Sequence, residues 1–443
     1  MADATTVKVL KGSRLIDGTG REVSKDAVVV IDGDTIRQVG AEADVRVPPG
    51  AHVEEFPGCT LMPGLMDCHL HLTAHNVLTF KNYRAAGGET SPQQMLLYAL
   101  FHAQLCFEMG FTTLRHLGWA SGHGLDVDEM VALREAIEAG IVAGPRLRVA
   151  GWTVITGSHL DLCLPRRGFR TDPDQTADGP WALRRLARKH LRTGTDFLKT
   201  CVSGGGGTDK EEPDVRNMTQ EELDAIVDEA HAFHKRVAVH CFTPQAQKMA
   251  IRAGADTIEH TVFTDDEALA MILERDVPVT PTLMHRTDHA IDVRRRNGTP
   301  EFVTRKMKTI QPHAYECFKR MHRAGVTLAM GTDTQLDPEM GANAGELELY
   351  VNLGMTPMEA IQTATRNAAR AIGVDAITGT LVPGKLADVI AVEGNPLADV
   401  RLLQEREKIK LVMKEGKIFV DRRPGRRKEV IHDESRDWIQ IDA

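Results

Sequence analysis

The sequence predicts an α/β fold, a (β/α)8 TIM barrel with a small discontinuous β-sandwich domain, and three observations predict it. Short β-rich stretches alternate with helical stretches eight times, over about 310 residues, the span that such a barrel occupies. Strand-only patterns flank this region on both sides. Histidine, lysine and aspartate recur at the C-terminal ends of the predicted strands, the rim where a barrel carries its chemistry.

Residues 1–60 read as the N-terminal part of the β-sandwich domain. Val7–Leu10, Ala27–Ile31 and Thr35–Val39 are β-rich, and Asp17-Gly18, Asp32-Gly33 and Pro49-Gly50 punctuate them. Residues 61–376 then read as the barrel. Its predicted strands are Thr60–His71, Phe111–Leu117, Arg146–Trp152, Asp196–Ser203, Arg236–Phe242, Asp256–Phe263, Pro278–Leu283 and Thr327–Thr334, mostly apolar and β-branched, as parallel strands covered on both faces are. Ser91-Pro92 opens one intervening helix and Gly110 closes it. Thr219 to Glu222 and Thr356 to Glu359 are capping boxes, and Gly373 ends the second of these helices. From 377 to 443 strands return, at Gly379–Val382, Ala387–Val392, Lys410–Met413 and Lys417–Val420, completing the β domain. The charged tail from Arg422 to Ala443 reads as solvated or as covering an oligomer interface, and a homo-oligomer is expected.

Composition narrows the function. Of 443 residues, 42% are apolar and 26% charged, enough for a sizeable core. A net charge of −8, from 54 basic and 62 acidic residues, argues against nucleic acid as a partner. Met1 to Val7 is polar and shows no secretory signal, and no apolar run is long enough to span a membrane. The seven cysteines form no C-x-x-C pair, which reads as reduced thiols in the cytoplasm. Cys68, Cys201 and Cys241 read as strand packing. The partner expected is a small-molecule substrate.

The candidate chemistry lies on five strand ends. His69 and His71 are one residue apart, so on a strand both imidazoles share a face, and neutral imidazole is a common zinc ligand. Alone such a pair is weak evidence; it gains weight from the other rim groups. Lys199, between Phe197-Leu198 and Thr200-Cys201-Val202, faces a buried setting in which an unpaired ammonium is costly. A neutral lysine amine can take up carbon dioxide as a carbamate able to bridge two cations; a snorkelling or carboxylate-paired lysine is the alternative. His240 and His260 could each be metal ligands or hydrogen-bonded core histidines. Asp333, ending the last strand, could bind a cation and take a proton from water, or could cap a turn.

Taken together, Pro63 to His71, Phe197-Leu-Lys199, Val239-His240, Ile258-Glu-His260, Gly331-Thr-Asp333, the helix from Met358 to Ala369 and Gly384 to Asp388 resemble the amidohydrolase superfamily over almost the whole chain. Lys199 to Gly205, His260 to Glu267, Pro281-Thr-Leu and Gly345 to Leu349 are similar to its imidazolonepropionase-like and Xaa-Pro dipeptidase (prolidase) group, which includes ochratoxin-hydrolysing carboxypeptidases. The resemblance implies two zinc ions per chain, one as the alternative. His69, His71 and Asp333 would hold one metal, His240 and His260 the other, with carboxylated Lys199 bridging. Two loops depart from the dipeptidase pattern: Gly204 to Gly207 continues into charged Thr208 to Arg216, and Thr334 to Ala344 lacks a histidine near Asn343.

The activity expected is hydrolysis of an amide carbon–nitrogen bond by a metal-activated hydroxide, on an N-acyl amino acid or dipeptide. The alternative is a urea, carbamate or thiocarbamate of the phenylurea or molinate kind. A deaminase is a minor alternative, against which Lys199 argues, and a non-catalytic scaffold would be expected to have lost ligands. Asp333 would move the proton. His159, after predicted strand three, would hydrogen-bond the developing oxyanion or simply fix its loop. Arg115 and Arg286 are the candidates to clamp a substrate carboxylate. His116 and His123, also near the rim, carry no assigned role.

Overall fold

The computed structural model describes residues 7–21, 24–75, 90–118, 120–121, 124–162, 176–296, 298–336 and 339–431. Eight parallel strands form its centre: Leu65–His75, Phe111–His116, Arg146–Trp152, Phe197–Cys201, Arg236–Cys241, Thr257–His260, Val279–Thr280 and Thr334–Leu336. The first seven pair in chain order, and the eighth pairs with the first. A bridge from Val279 to Leu328 joins the seventh strand to the chain entering the eighth. No helix among the described residues is long and apolar enough to cross a membrane.

The first seven strands fall within or close to the predicted stretches. The eighth differs. Predicted at Thr327–Thr334, it is assigned only from Thr334, because its entry bonds irregularly to both neighbours. Ala329 donates to the Val279 carbonyl at 2.9 Å, the Met330 carbonyl accepts from Cys68 at 2.9 Å, and Asp333 donates to the His69 carbonyl at 2.6 Å. Between these bonds the buried Asp67 carboxylate replaces the ladder. It accepts from the backbone N–H of His69 and Thr332 and from the Thr332 hydroxyl. Gly331 lets the strands come this close, since a Cβ there would lie 2.4 Å from Thr280 Cγ2 and 2.8 Å from His69 Cβ.

The helices follow their signals. Ser91 caps Pro92–Glu108 by accepting from Gln94 N–H at 3.2 Å. Thr219 and Thr356 both close capping boxes, with Glu222 and Glu359. The helix expected to run on to Gly373 is instead two, Pro357–Thr363 and Arg366–Ile372. It breaks because the carbonyls of Thr363 and Ala364 accept from barrel N–H groups of Met330 and Met66, and so leave the helical ladder.

Both flanks of the barrel contribute to one further sheet of seven strands. Its order is Lys417–Asp421, Ile409–Lys414, Val389–Glu393, His52–Pro63, Lys8–Leu15, Ser24–Asp32 and Thr35–Ala41. The long His52–Pro63 strand joins the two halves, parallel to Lys8–Leu15 and antiparallel to Val389–Glu393, and runs on into barrel strand one. The start of the tail is docked at Arg422, Val430 and Ile431, while residues 424–428 between them are exposed. Arg422 is buried against Glu108 and Glu429, and the Glu108 carboxylate accepts from Val430 and Ile431 N–H at 2.7 Å each. The tail beyond residue 431 lies outside the described residues.

Gly331→Ala should therefore lower stability by about 1–3 kcal/mol, the usual cost of overpacking a rigid contact. Urea denaturation reads it as a lower midpoint with unchanged slope; an unchanged midpoint would mean that the strands separate freely here.

Candidate active site

Register decides which side chains enter the barrel. His240 pairs with Glu259, Cys201 with His240, and Lys199 with Ala238, so Lys199, His240 and Glu259 share the inner face. His260 follows Glu259 and has the opposite parity. Its φ of +76° breaks the alternation and turns the ring into the mouth; Asp333, with φ of +55°, makes a left-handed turn just before strand eight. Thr261 and Thr282 are also left-handed, at +47° and +50°. For β-branched residues that conformation costs of order 1–3 kcal/mol, and such strain gathers at functional sites.

His69, His71, Lys199, His240, His260 and Asp333 are all buried at this one end. One ligand atom each of His69, His260 and Asp333 lies within 4.8 Å of the others. His71 Nε2 lies 3.0 Å from Asp333 Oδ1. The rings of His260 and His240 meet edge to face at 4.6 Å, and those of His260 and His69 lie tilted at 4.8 Å.

Most of these imidazoles have one nitrogen fixed from behind. His69 Nδ1 faces Glu259 Oε2 at 2.7 Å, His71 Nδ1 the Gly118 carbonyl, and His260 Nδ1 the Thr282 hydroxyl at 2.6 Å. Each of these contacts leaves Nε2 to face the site, the arrangement that orients metal-binding histidines. His240 differs, with Nε2 at 3.1 Å from the Gly204 carbonyl. Burial, then the nearby Lys199, lowers His69 to about 4. Burial likewise drives His240 and His260 well below the ordinary histidine range, so all three are neutral imidazoles at pH 7. Lys199 is 3% exposed, and its Nζ has no hydrogen-bond partner among the described residues. A buried amine without a partner, inside a ring of neutral imidazoles and a carboxylate, is a donor set that fits divalent cations.

Four residues with no predicted role shape the site. Glu259 accepts from Arg115 Nη2 at 2.7 Å as well as meeting His69. Burial would raise its carboxyl, but Arg115 and His69 hold it well below the usual range. Asp67, pushed up to about 6 by burial, ties His69 to Thr332 and to Asn343, whose amide donates at 2.7 Å. Asn343 thus serves the barrel wall. His285, buried after strand seven, puts Nε2 3.4 Å from Asp333 Oδ2. No motif marks it; its only signal is a histidine a few residues past a predicted strand end.

Other expectations change. Arg115 is no carboxylate clamp, because it bonds to Cys68 O, Thr257 and Glu259 at the inner wall. His159 reaches the site, stacked 5.0 Å from His240, with Nδ1 on the buried Glu211. Its Nε2 is the ring nitrogen that Glu211 does not hold. His116 is occupied by Asp126 and the Leu72 N–H. Cys68, Cys201 and Cys241 are buried free thiols. His123 lies outside the described residues.

The amidohydrolase family model matches residues 60–419. The chain belongs to the amidohydrolase family. It is 31% identical to the ochratoxinase of Aspergillus niger, over 94% of this chain and 87% of that protein. A Xaa-Pro dipeptidase with methionine bound in its active site superposes with a TM-score of 0.83 at 30% identity, covering 94% of this chain and all of the other. A prolidase complexed with N-methylphosphonate-L-proline does so at 0.83 and 28%, with the same coverage. This amidohydrolase is a hydrolytic enzyme acting on carbon–nitrogen bonds.

Replacing Glu259 with Gln strands Arg115 as a buried charge with no carboxylate. The expected loss is about 3–5 kcal/mol in chemical denaturation. Pairing Glu259→Leu with Arg115→Met should cost less than the two single changes added; strict additivity would show that the pair is not coupled.

Proposed function

We propose that this amidohydrolase cleaves the amide bond of an N-acyl amino acid or dipeptide, with divalent cations, two zinc ions per chain, held by His69, His71, Lys199, His240, His260 and Asp333. The observation that carries the metal reading is the partnerless, buried Lys199 amine among neutral histidines and Asp333. Carboxylation of Lys199 would turn that amine into an anionic bridge. When bound, the cations would supply Lewis acidity at the scissile carbonyl and lower the pKa of water for attack near neutrality. The substrate class rests on likeness to proteins named ochratoxinase, Xaa-Pro dipeptidase and prolidase.

The chain's own residues then move the proton. Asp333 Oδ1 is engaged by His71 and by Gln335 Nε2, each at 3.0 Å, whereas Oδ2 has only the longer 3.4 Å approach of His285 Nε2 among the described residues, so Oδ2 is the atom that would accept. It takes a proton as the water oxygen bonds to the carbonyl carbon. As the carbon–nitrogen bond breaks, the same proton passes to the leaving nitrogen. Burial would raise the Asp333 carboxyl, yet His285 and His71 hold it well below the ordinary range, which keeps it ionised and ready to accept. His159 Nε2 would hydrogen-bond the substrate oxygen, with Glu211 fixing the other ring nitrogen, Nδ1.

Elemental analysis of the purified enzyme should give about two divalent cations per chain, and a chelator should remove activity that added zinc restores. Lys199→Ala should lose both metal and rate; wild-type values for that variant would exclude the bridging role. Asp333→Asn should stay folded and turn over at least about a hundredfold more slowly. A substrate panel of N-acyl amino acids, Xaa-Pro dipeptides, phenylureas and thiocarbamates, read by product mass, tests the class. Cleavage of only the neutral ureas or carbamates would overturn it.

A further inference from the structure

Arg286 is a buried cation with no ion-pair partner among the described residues. It ends the short turn Met284–Arg286 after strand seven and is 2% exposed. Its Nη1 donates to the Thr282 carbonyl at 3.0 Å, but it forms no ion pair with a carboxylate among the described residues. The other buried arginines differ. Arg115 has Glu259, Arg294 has Glu339 at 3.2 Å, and Arg422 has Glu108 and Glu429. The acids that bear on Arg286, Asp333 and Glu346, are committed elsewhere. Asp333 serves His71 and Gln335, while Glu346 accepts from Leu283 and Met284 N–H at 2.7 and 2.5 Å. Burial lowers the guanidinium only to about 10, so it is charged at neutral pH.

Its place is next to the candidate metal centre. The guanidinium carbon lies 5.0 Å from the centre of the Phe242 ring, and Phe242 stacks on His240 at 4.4 Å and meets His260 edge-on at 5.4 Å. A flat, desolvated guanidinium resting on an aromatic face, with donors free of any carboxylate, is built to receive a planar anion. One such cation beside the carboxylate of Asp333 matches a single negative charge better than a phosphate dianion.

We propose that Arg286 is the anion subsite of this active site and binds the C-terminal carboxylate of the substrate's leaving amino acid. This rests on the amide-hydrolase reading above and narrows it to carboxypeptidase-type substrates. The leaving amino acid would take up its proton at nitrogen while its carboxylate is still held on Arg286, so Arg286 sets which bond sits at the metals and takes no part in proton transfer.

The test crosses enzyme and substrate. Zinc-loaded wild type, Arg286→Met and Arg286→Lys are assayed on an N-benzoyl amino acid and on its C-terminal amide. Wild type should prefer the acid by about 100-fold or more in kcat/KM. Arg286→Met should lose that preference through the acid alone, and Arg286→Lys should keep part of it. Equal wild-type rates on acid and amide, or an equal loss on both in Arg286→Met, would overturn the proposal. Binding provides a second readout, the protection from thermal unfolding given by L-phenylalanine against L-phenylalaninamide. Selective protection by the acid in wild type, lost in Arg286→Met, supports the subsite even if neither benzoyl substrate is cleaved, a result that would count against the functional reading alone. Equal protection by both ligands would remove the subsite.

Discussion

The ion pair between Arg115 and Glu259 is the constraint around which the site is arranged. It crosses the barrel interior from strand two to strand six, and Glu259 carries on to His69 on strand one. Two charges out of water are costly unless every donor and acceptor is used. Here the guanidinium also reaches Cys68 O and Thr257, and Thr257 in turn donates to Glu259. Three strands are therefore held in register by one network, and the His69 ring inherits its orientation from it. Asp67 does the same for the join between strands one and eight, so the first and last strands meet through a carboxylate and not through a regular ladder.

Burial has a second effect at the rim. The same desolvation that penalises Asp67 and Glu346 keeps His69, His240 and His260 neutral. Neutral imidazoles pointing inward, each steadied by a neighbouring acceptor or donor, need little rearrangement to take a cation. The left-handed turns at His260, Thr282 and Asp333 contribute geometry that regular strands cannot give, because alternation alone sends successive side chains to opposite faces.

Much of this was legible in the sequence. Apolar β-branched runs separated by capped helices marked the first seven barrel strands, since periodicity and capping are local. The six rim residues could be singled out because each lies in or at the end of a predicted strand and a barrel has one functional end, and the structure brings their side chains to one end. Strand eight and the broken helix before Gly373 were read less well, because both depend on hydrogen bonds to partners far along the chain. Glu259 stood inside a quoted motif without a role; only the register with His240 shows that it faces inward. Arg115 and Arg286 looked alike as rim arginines. One is ion-paired with a carboxylate and the other, among the described residues, is not, a difference that no spacing could reveal. His285 had no pattern to mark it.

The sheet made from both flanks has a consequence for how the protein comes into being. Thr60 bonds to the Gly394 carbonyl, 334 positions later, and Lys8 to Gly416, 408 positions later. During vectorial synthesis the His52–Pro63 strand leaves the ribosome long before Val389–Glu393 exists, and its open edge must wait while the whole barrel is made. Contacts so far apart in the chain close slowly, and a waiting apolar edge invites pairing with other chains. A nascent chain of this protein is thus exposed for most of its translation, and slow decoding or low temperature, which stretch that interval differently, should change soluble yield more than they change the stability of the finished enzyme.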